Sequence, residues 1–209
     1  MAEVRPRTRI QEKNRRAILD AALDSFSQHG FRGATLDEIA RKAGLSKPNV
    51  LYYFASKEAI HAELIEETAQ VWFQPLHDID PQGDPIEEVL AYVCRKLQMS
   101  KTNPRESRLF ANEIIQGAPR LGNRLTDFFK ALVDEKAEVL RGWAKAGKIA
   151  PLDPYHLIFS IWATTQHYAD FDVQVRGILL PEGDEHFKDA EKFLMALYRK
   201  ALTPLPGES

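Results

Sequence analysis

Apolar positions recur at spacings of three and four along almost the whole chain, and the strict alternation that marks half-buried strands is almost absent. Ile18, Leu19, Ala22, Leu23 and Phe26 fall on one helical stripe, which Gly30 stops. Thr35-Leu36-Asp37-Glu38 reads as a capping box, with Glu38 reaching back to the start of a short helix that buries Leu36, Ile39, Ala40 and Ala43 and ends at Gly44. Ser46 caps a second short helix that buries Val50 and Leu51. Ser56 opens a helix through Ile60, Leu64, Thr68 and Trp72, stopped near Pro75. Asp84-Pro85-Ile86-Glu87 and Asn103-Pro104-Arg105-Glu106 each place a cap before a proline at the first helical position. A long helix is expected from about Pro119 to Gly147, with Leu121, Leu125, Phe128, Leu132, Lys136, Leu140 and Trp143 on its stripe. Asp153-Pro154 opens another through Tyr168, and Asp184 opens the last, through Leu202. The pattern predicts an all-α chain of about nine helices, with loops at 75–85 and 177–184 and a frayed tail after Thr203.

The 44% of hydrophobic residues supply ample core for 209 residues. The one cysteine, Cys94, cannot form an intramolecular disulfide, which points to a reducing compartment; it reads as a small buried side chain. No secretory leader is apparent, and no apolar run approaches the roughly 20 residues of a membrane span, so a soluble cytoplasmic protein with no membrane partner is expected. The net charge of −2 hides an asymmetry: residues 1–57 hold eleven Lys/Arg against six Asp/Glu, and 58–209 hold seventeen against twenty-four. A basic module on an acidic body suggests that one end meets a polyanion.

Two short capped helices around Gly44-Leu45 match a helix-turn-helix. The second begins Ser46-Lys47-Pro48-Asn49, so its N-terminus offers free amides, a cation and a short amide side chain, groups suited to phosphates and base edges in the major groove. The phenols of Tyr52 and Tyr53 suit phosphate oxygens, and Lys57 adds a cation at the start of the next helix. Arg5, Arg7, Arg9, Lys13, Arg15 and Arg16 form a basic arm upstream, and Phe54 is assigned to the core. Residues 1–57 are thus expected to be an arm and DNA-binding domain, and 58–209 a second domain for effector binding and dimerisation.

The run Thr35 to Ala40, then Gly44-Leu45-Ser46-Lys47, Leu51-Tyr52-Tyr53-Phe54 and Ser56-Lys57-Glu58 resembles the signature of the TetR family of transcriptional regulators over about 45 residues. The resemblance implies DNA contacts at Thr35, Ser46, Lys47, Asn49, Tyr52, Tyr53 and Lys57, and a homodimer through the last two helices on a palindromic operator. Trp72, Ser107-Arg108-Leu109-Phe110, Gly117-Ala118-Pro119 and the run from Ile161 to Phe171 resemble the branch of that family that regulates pyrimidine utilisation in answer to uracil. That implies a uracil-like effector.

The C-terminal half is unusual on its own terms. Ile158, Trp162 and Gln166 share a helical face; Lys96 lies on the apolar stripe of Val89, Val93, Leu97 and Ser100; Glu113 sits between Phe110 and Ile114. Gln166 suits one edge of a pyrimidine, Lys96 a carbonyl, and Trp72 or Trp162 a ring face. Each has a rival role: the tryptophans as core, Gln166 across a dimer interface, Lys96 reaching out to solvent, Glu113 paired with Arg108. Phe110 completes the candidate effector set. Phe187, Ala190, Phe193, Leu194 and Leu197, with Leu157, Ile161 and Thr165, are the expected dimer contacts. His167 and Asp170 share a turn without a third metal ligand, and no nucleophile elbow or phosphate loop occurs, so neither an enzyme nor a metal or cofactor is expected. A purely architectural DNA binder would have no use for about 150 residues of second domain; the remaining alternative is a TetR-type repressor that answers to a different small molecule.

Overall fold

Side-chain caps open most of the helices the sequence marks. In the computed structural model, which describes residues 8–120 and 122–205 and the side chains of all of these except 122–128, there are ten helices and no strand among the described residues. They are α1 (Arg9–Gly33), α2 (Leu36–Lys42), α3 (Lys47–Tyr53), α4 (Lys57–His77), α5 (Pro85–Thr102), α6 (Pro104–Ile115), α7 (Gly122–Lys145), α8 (Pro154–Asp170), α9 (Asp172–Leu179) and α10 (His186–Leu202). Thr35, Ser46, Asp84 and Asp153 each accept a backbone N–H of the first turn that follows, satisfying donors with no partner inside the helix. Gly30 takes φ 66°, a region closed to most side chains, and breaks α1 three residues before its end. Arg5, Arg7, Leu121, Leu125 and Phe128 lie outside the described residues or side chains.

Three expectations need correction. Pro75 does not stop α4, which runs on to His77. The proline removes the donor to the carbonyl of Val71, a residue half open to water, while the carbonyls of Trp72 and Pro75 accept from Lys96 and Arg95 of α5. The capping box at Thr35 is half made: the Thr35 hydroxyl accepts from the amide of Glu38 at 3.2 Å, but the Glu38 carboxylate turns to Ser25 and Lys42. Part of the loop expected at 177–184 and the residues before it form α9, which makes ten helices.

The chain forms two units, residues 1–68 with 108–121 and residues 69–107 with 122–209, so the cut falls inside α4 and α6 joins the N-terminal unit. The first unit is built on Ile18 and Phe26 of α1, Ile39, Val50, and Ile60 and Ile65 of α4. The second packs α8 and α10 against α5 through Tyr92, Val93, Leu97, Ile158, Ile161, Leu194 and Tyr198. The stripe expected to form a dimer interface divides accordingly. Phe187, Ala190 and Leu194, like Leu157, Ile161 and Thr165, are buried within their own chain, whereas Phe193 and Leu197, a step around α10, are 63% and 42% exposed. Leu194→Ala should therefore destabilise the fold itself, by about 2–5 kcal/mol. Urea unfolding read by circular dichroism checks this; a change under about 0.5 kcal/mol would return Leu194 to the surface.

Candidate functional site

The helix-turn-helix presents Thr35, Ser46, Lys47, Pro48, Asn49 and Tyr52 to solvent on one continuous stretch of unit one, with Val50 and Phe54 turned inward. Ser46 Oγ accepts the amide of Asn49 at 3.4 Å and leaves the Asn49 side chain outward. Lys47 is paired with Asp37 at 2.9 Å across the turn, an exposed pair that water weakens and a phosphate can replace. Tyr52 is 72% exposed, and its hydroxyl accepts from Gln11; the half-buried Tyr53 accepts from Asn14 at 3.1 Å. Gln11 and Asn14, residues that no sequence pattern singles out, thus orient both phenols from α1.

The cations behave differently from expectation. Lys57 does not stand free beside the reading helix: its ammonium donates to the carbonyls of Phe31 and Ala34, both at 2.7 Å, and lies 4.3 Å from the centre of the Phe31 ring. Arg15 and Arg16 pair with Glu63 and Glu67 of α4, and Arg15 also covers the ring of Phe54 at 4.3 Å. Of the described arm, Arg9 and Lys13 are exposed, and so is Arg16 in spite of its pair.

Glu113 and Phe110 belong to unit one, apart from the other four candidate effector residues, which lie in unit two. Glu113 is 2% exposed and accepts from the backbone amide (2.7 Å) and the guanidinium (3.0 Å) of Arg120, so its partner is Arg120 and not Arg108. The Arg120 guanidinium in turn lies 3.6 Å from the Phe31 ring centre. His61, with Nε2 3.9 Å from Glu113, stands edge-on to Phe26 and Phe31; burial pushes it down to about 4, against the opposing pull of Glu113, so it is neutral at pH 7.

In unit two Lys96 is 1% exposed and does not reach out to solvent. Its ammonium sits 4.1 Å over the Trp72 ring and donates to the Trp72 carbonyl at 3.3 Å, a long bond for an N–H donor. Burial pushes it down to about 7, against the pull of Asp170, whose carboxylate accepts from Ser107 at 2.6 Å. Trp162 donates its indole N–H to the buried Tyr92 hydroxyl at 2.6 Å and packs against Phe73 and Phe159. Trp162, Gln166 and Asp170 follow one another by single turns on α8, as Tyr92 and Lys96 do on α5. Trp162 meets Tyr92 and Asp170 acts on Lys96, so the half-buried Gln166 lies on the row between them. Phe73 also lines a cavity of about 260 Å³ between α4 and α7, with Gln70, Gln74, His77, Ala131, Leu132 and Glu135.

Two outcomes follow. Lys57→Ala strips donors from two carbonyls and should cost about 1–3 kcal/mol of stability as well as weakening DNA binding; chemical denaturation checks it, and an unchanged midpoint would show the two bonds to be idle. Between about pH 7 and 10 the unfolded chain keeps the Lys96 proton that the folded protein has lost, so raising pH favours folding there, by at most about 1.4 kcal/mol per unit. Lys96→Met should remove that slope: its gain in stability over wild type should be largest at pH 7 and below and shrink toward pH 10. A gain constant from pH 6 to 10 would contradict the assignment.

The profile of the bacterial regulatory proteins of the tetR family matches residues 18–64, and that of the YcdC-like protein C-terminal region matches residues 65–205. The HTH-type transcriptional regulator RutR of Escherichia coli K12 is 48% identical over 172 residues, 82% of this chain and 81% of its own. The A-factor receptor protein of Streptomyces griseus is 28% identical over 66% of this chain and 48% of its own. Among solved structures, a transcriptional regulator of Streptomyces coelicolor aligns with a TM-score of 0.69 at 23% identity over 90% of this chain and 98% of its own. AibR, solved with isovaleryl coenzyme A and operator DNA, aligns at 0.67 and 17% identity over 88% and 97%. These two likenesses bear on the fold. With both of its parts matched, and a relative of nearly half identity along most of its length, the chain belongs to the TetR family of helix-turn-helix transcriptional regulators and carries a YcdC-like C-terminal region.

Proposed function

We propose that this chain is a cytoplasmic homodimeric regulator that binds palindromic operator DNA and releases it on binding uracil or thymine. The observation that carries the effector half is Lys96: a buried amino group, held by one long hydrogen bond, a ring face and the pull of Asp170, has donor capacity left for a planar carbonyl compound. In this reading Lys96 gives a hydrogen bond to a pyrimidine carbonyl, Gln166 pairs with an acceptor–donor edge, and Trp72 and Trp162 cover the ring. Glu113 holds Arg120 instead of touching the effector. The DNA half rests on the outward Thr35, Ser46, Lys47, Asn49 and Tyr52, with Tyr53 held by Asn14; Lys57 contributes by fixing the head. The dimer forms through the faces of α8 and α10 that carry Phe159, Phe193 and Leu197, which are 46%, 63% and 42% exposed, and it spaces two reading helices about 34–36 Å apart.

Titration calorimetry with uracil tests the reading, on wild type and Gln166→Leu, beside operator titrations with and without ligand. Wild type should bind uracil and lose at least about tenfold in operator affinity, which needs some 1.4 kcal/mol of coupling. Gln166→Leu should keep operator binding and lose the response. Unchanged uracil affinity in the mutant removes Gln166 from the site. A wild type that gives no heat with uracil or thymine removes the pyrimidine and leaves a TetR-type repressor of another small molecule.

A further inference from the structure

We propose that α9 is a third element of the homodimer interface, laid against a second copy of this chain; the proposal rests on the homodimer reading above and extends it. Phe171, Val173, Ile178, Leu179 and Leu180 are 55%, 88%, 71%, 57% and 80% exposed, five large apolar side chains within ten residues. Such a patch gains by being covered, since burying each aliphatic side chain is favourable by about 1.5–3 kcal/mol. The segment is ordered with its apolar side outward. Val175 is buried beneath it, and Arg176 ties the helix down by donating to Asp172 (2.8 Å), the carbonyl of Gly183 (2.6 Å) and Asp184 (2.7 Å).

Three observations select a second copy as the occupant. The first is continuity: Phe159, Ala163, His167 and Phe171 follow one another by single turns, all exposed, and the rings of His167 and Phe171 stack at 5.0 Å and 18°, so the face of α8 runs unbroken into α9. The second is area. A stable interface takes about 800 Å² from each partner, some 20–30 residues a side, and α8 and α10 offer Phe159, Phe193 and Leu197 as their large exposed apolar side chains. The third is charge: Val173, Gln174, Gly177, Ile178 and Leu180 are uncharged, as interface centres are, while Asp172, Glu182, Asp184 and Glu185 against one arginine make the segment unsuited to an anionic membrane surface.

The test is sedimentation equilibrium of the full chain over a concentration series, for Val173→Glu with Ile178→Glu and, in parallel, Phe193→Glu with Leu197→Glu. Circular dichroism checks that each is folded, and Val173→Ser with Ile178→Ser stands in where the glutamates prevent folding. The α9 pair should weaken dimerisation at least tenfold and the serine pair by less. An α9 pair with the wild-type dimer constant overturns the proposal, and beside a monomeric Phe193/Leu197 variant it does so while leaving the homodimer reading intact. If both variants remain dimeric, the interface placed on Phe193 and Leu197 falls with it while the homodimer stands; a wild type that sediments as a monomer removes the homodimer reading and the proposal together. A weakened α9 pair beside an inert Phe193/Leu197 pair keeps the proposal and moves the interface. An unchanged dimer that loses binding to phosphatidylglycerol vesicles gives the face to a membrane and refutes the proposal.

Discussion

The pose of the reading head depends on Phe31, a ring gripped by two cations. Lys57, at the start of α4, lies over it at 4.3 Å and fills the carbonyls of Phe31 and Ala34; Arg120, at the corner after α6, lies over it at 3.6 Å. Each contact is worth only about 0.5–2 kcal/mol, yet together they fix the peptide that leads from the kink at Gly30 to the cap at Thr35. Everything downstream in the head inherits that placement, because Thr35 starts α2 and α2 carries the turn to α3. Arg120 is itself aimed by a buried carboxylate, Glu113, which is why a charge is tolerated where 2% of the residue is exposed.

Local chemistry made most of the fold legible. The caps Thr35, Ser46, Asp84 and Asp153 and the break at Gly30 are properties of a few consecutive residues, and the structure uses all of them. The misreadings lie where a side chain chooses between a local and a distant partner. Glu38 has a local bond waiting at Thr35 and takes Ser25 and Lys42 instead. Arg15 and Arg16 look like a free basic arm until α4 brings Glu63 and Glu67 beside them. α9 escaped because its caps are weak: no side chain caps its start, and what holds it is Arg176 reaching forward to Gly183 and Asp184.

The candidate effector residues were half legible for a related reason. A lysine on an apolar stripe is visible in the sequence, but whether it bends outward or stays inside is decided by what its ammonium finds. Here Pro75 interrupts the ladder of α4, and the next carbonyl along, that of Trp72, accepts from Lys96 beside the face of its own ring. The buried cation thus rests on a carbonyl and a ring of another helix, one residue beyond the carbonyl that the proline leaves without a donor. Nothing within a few residues of Lys96 announces it, because Trp72 lies twenty-four positions upstream.

In the proposed switch, the same closure that hides Lys96 sets the energetics. Trp72 already has an ammonium over one ring face, and the Trp162 N–H is already spent on Tyr92, so a pyrimidine enters only by displacing contacts that exist. A ligand that binds such an opened form has its apparent affinity reduced by the fraction of protein that is open, and only its preference for that form, not its total affinity, does work on the DNA. The chain passes between its two units three times, within α4, between Ser107 and Arg108, and between Leu121 and Gly122. The first of these crossings follows Lys57 and precedes Trp72, and the last follows Arg120. In that proposal a displacement at either cation would alter its grip on Phe31, and with it the pose of the reading head.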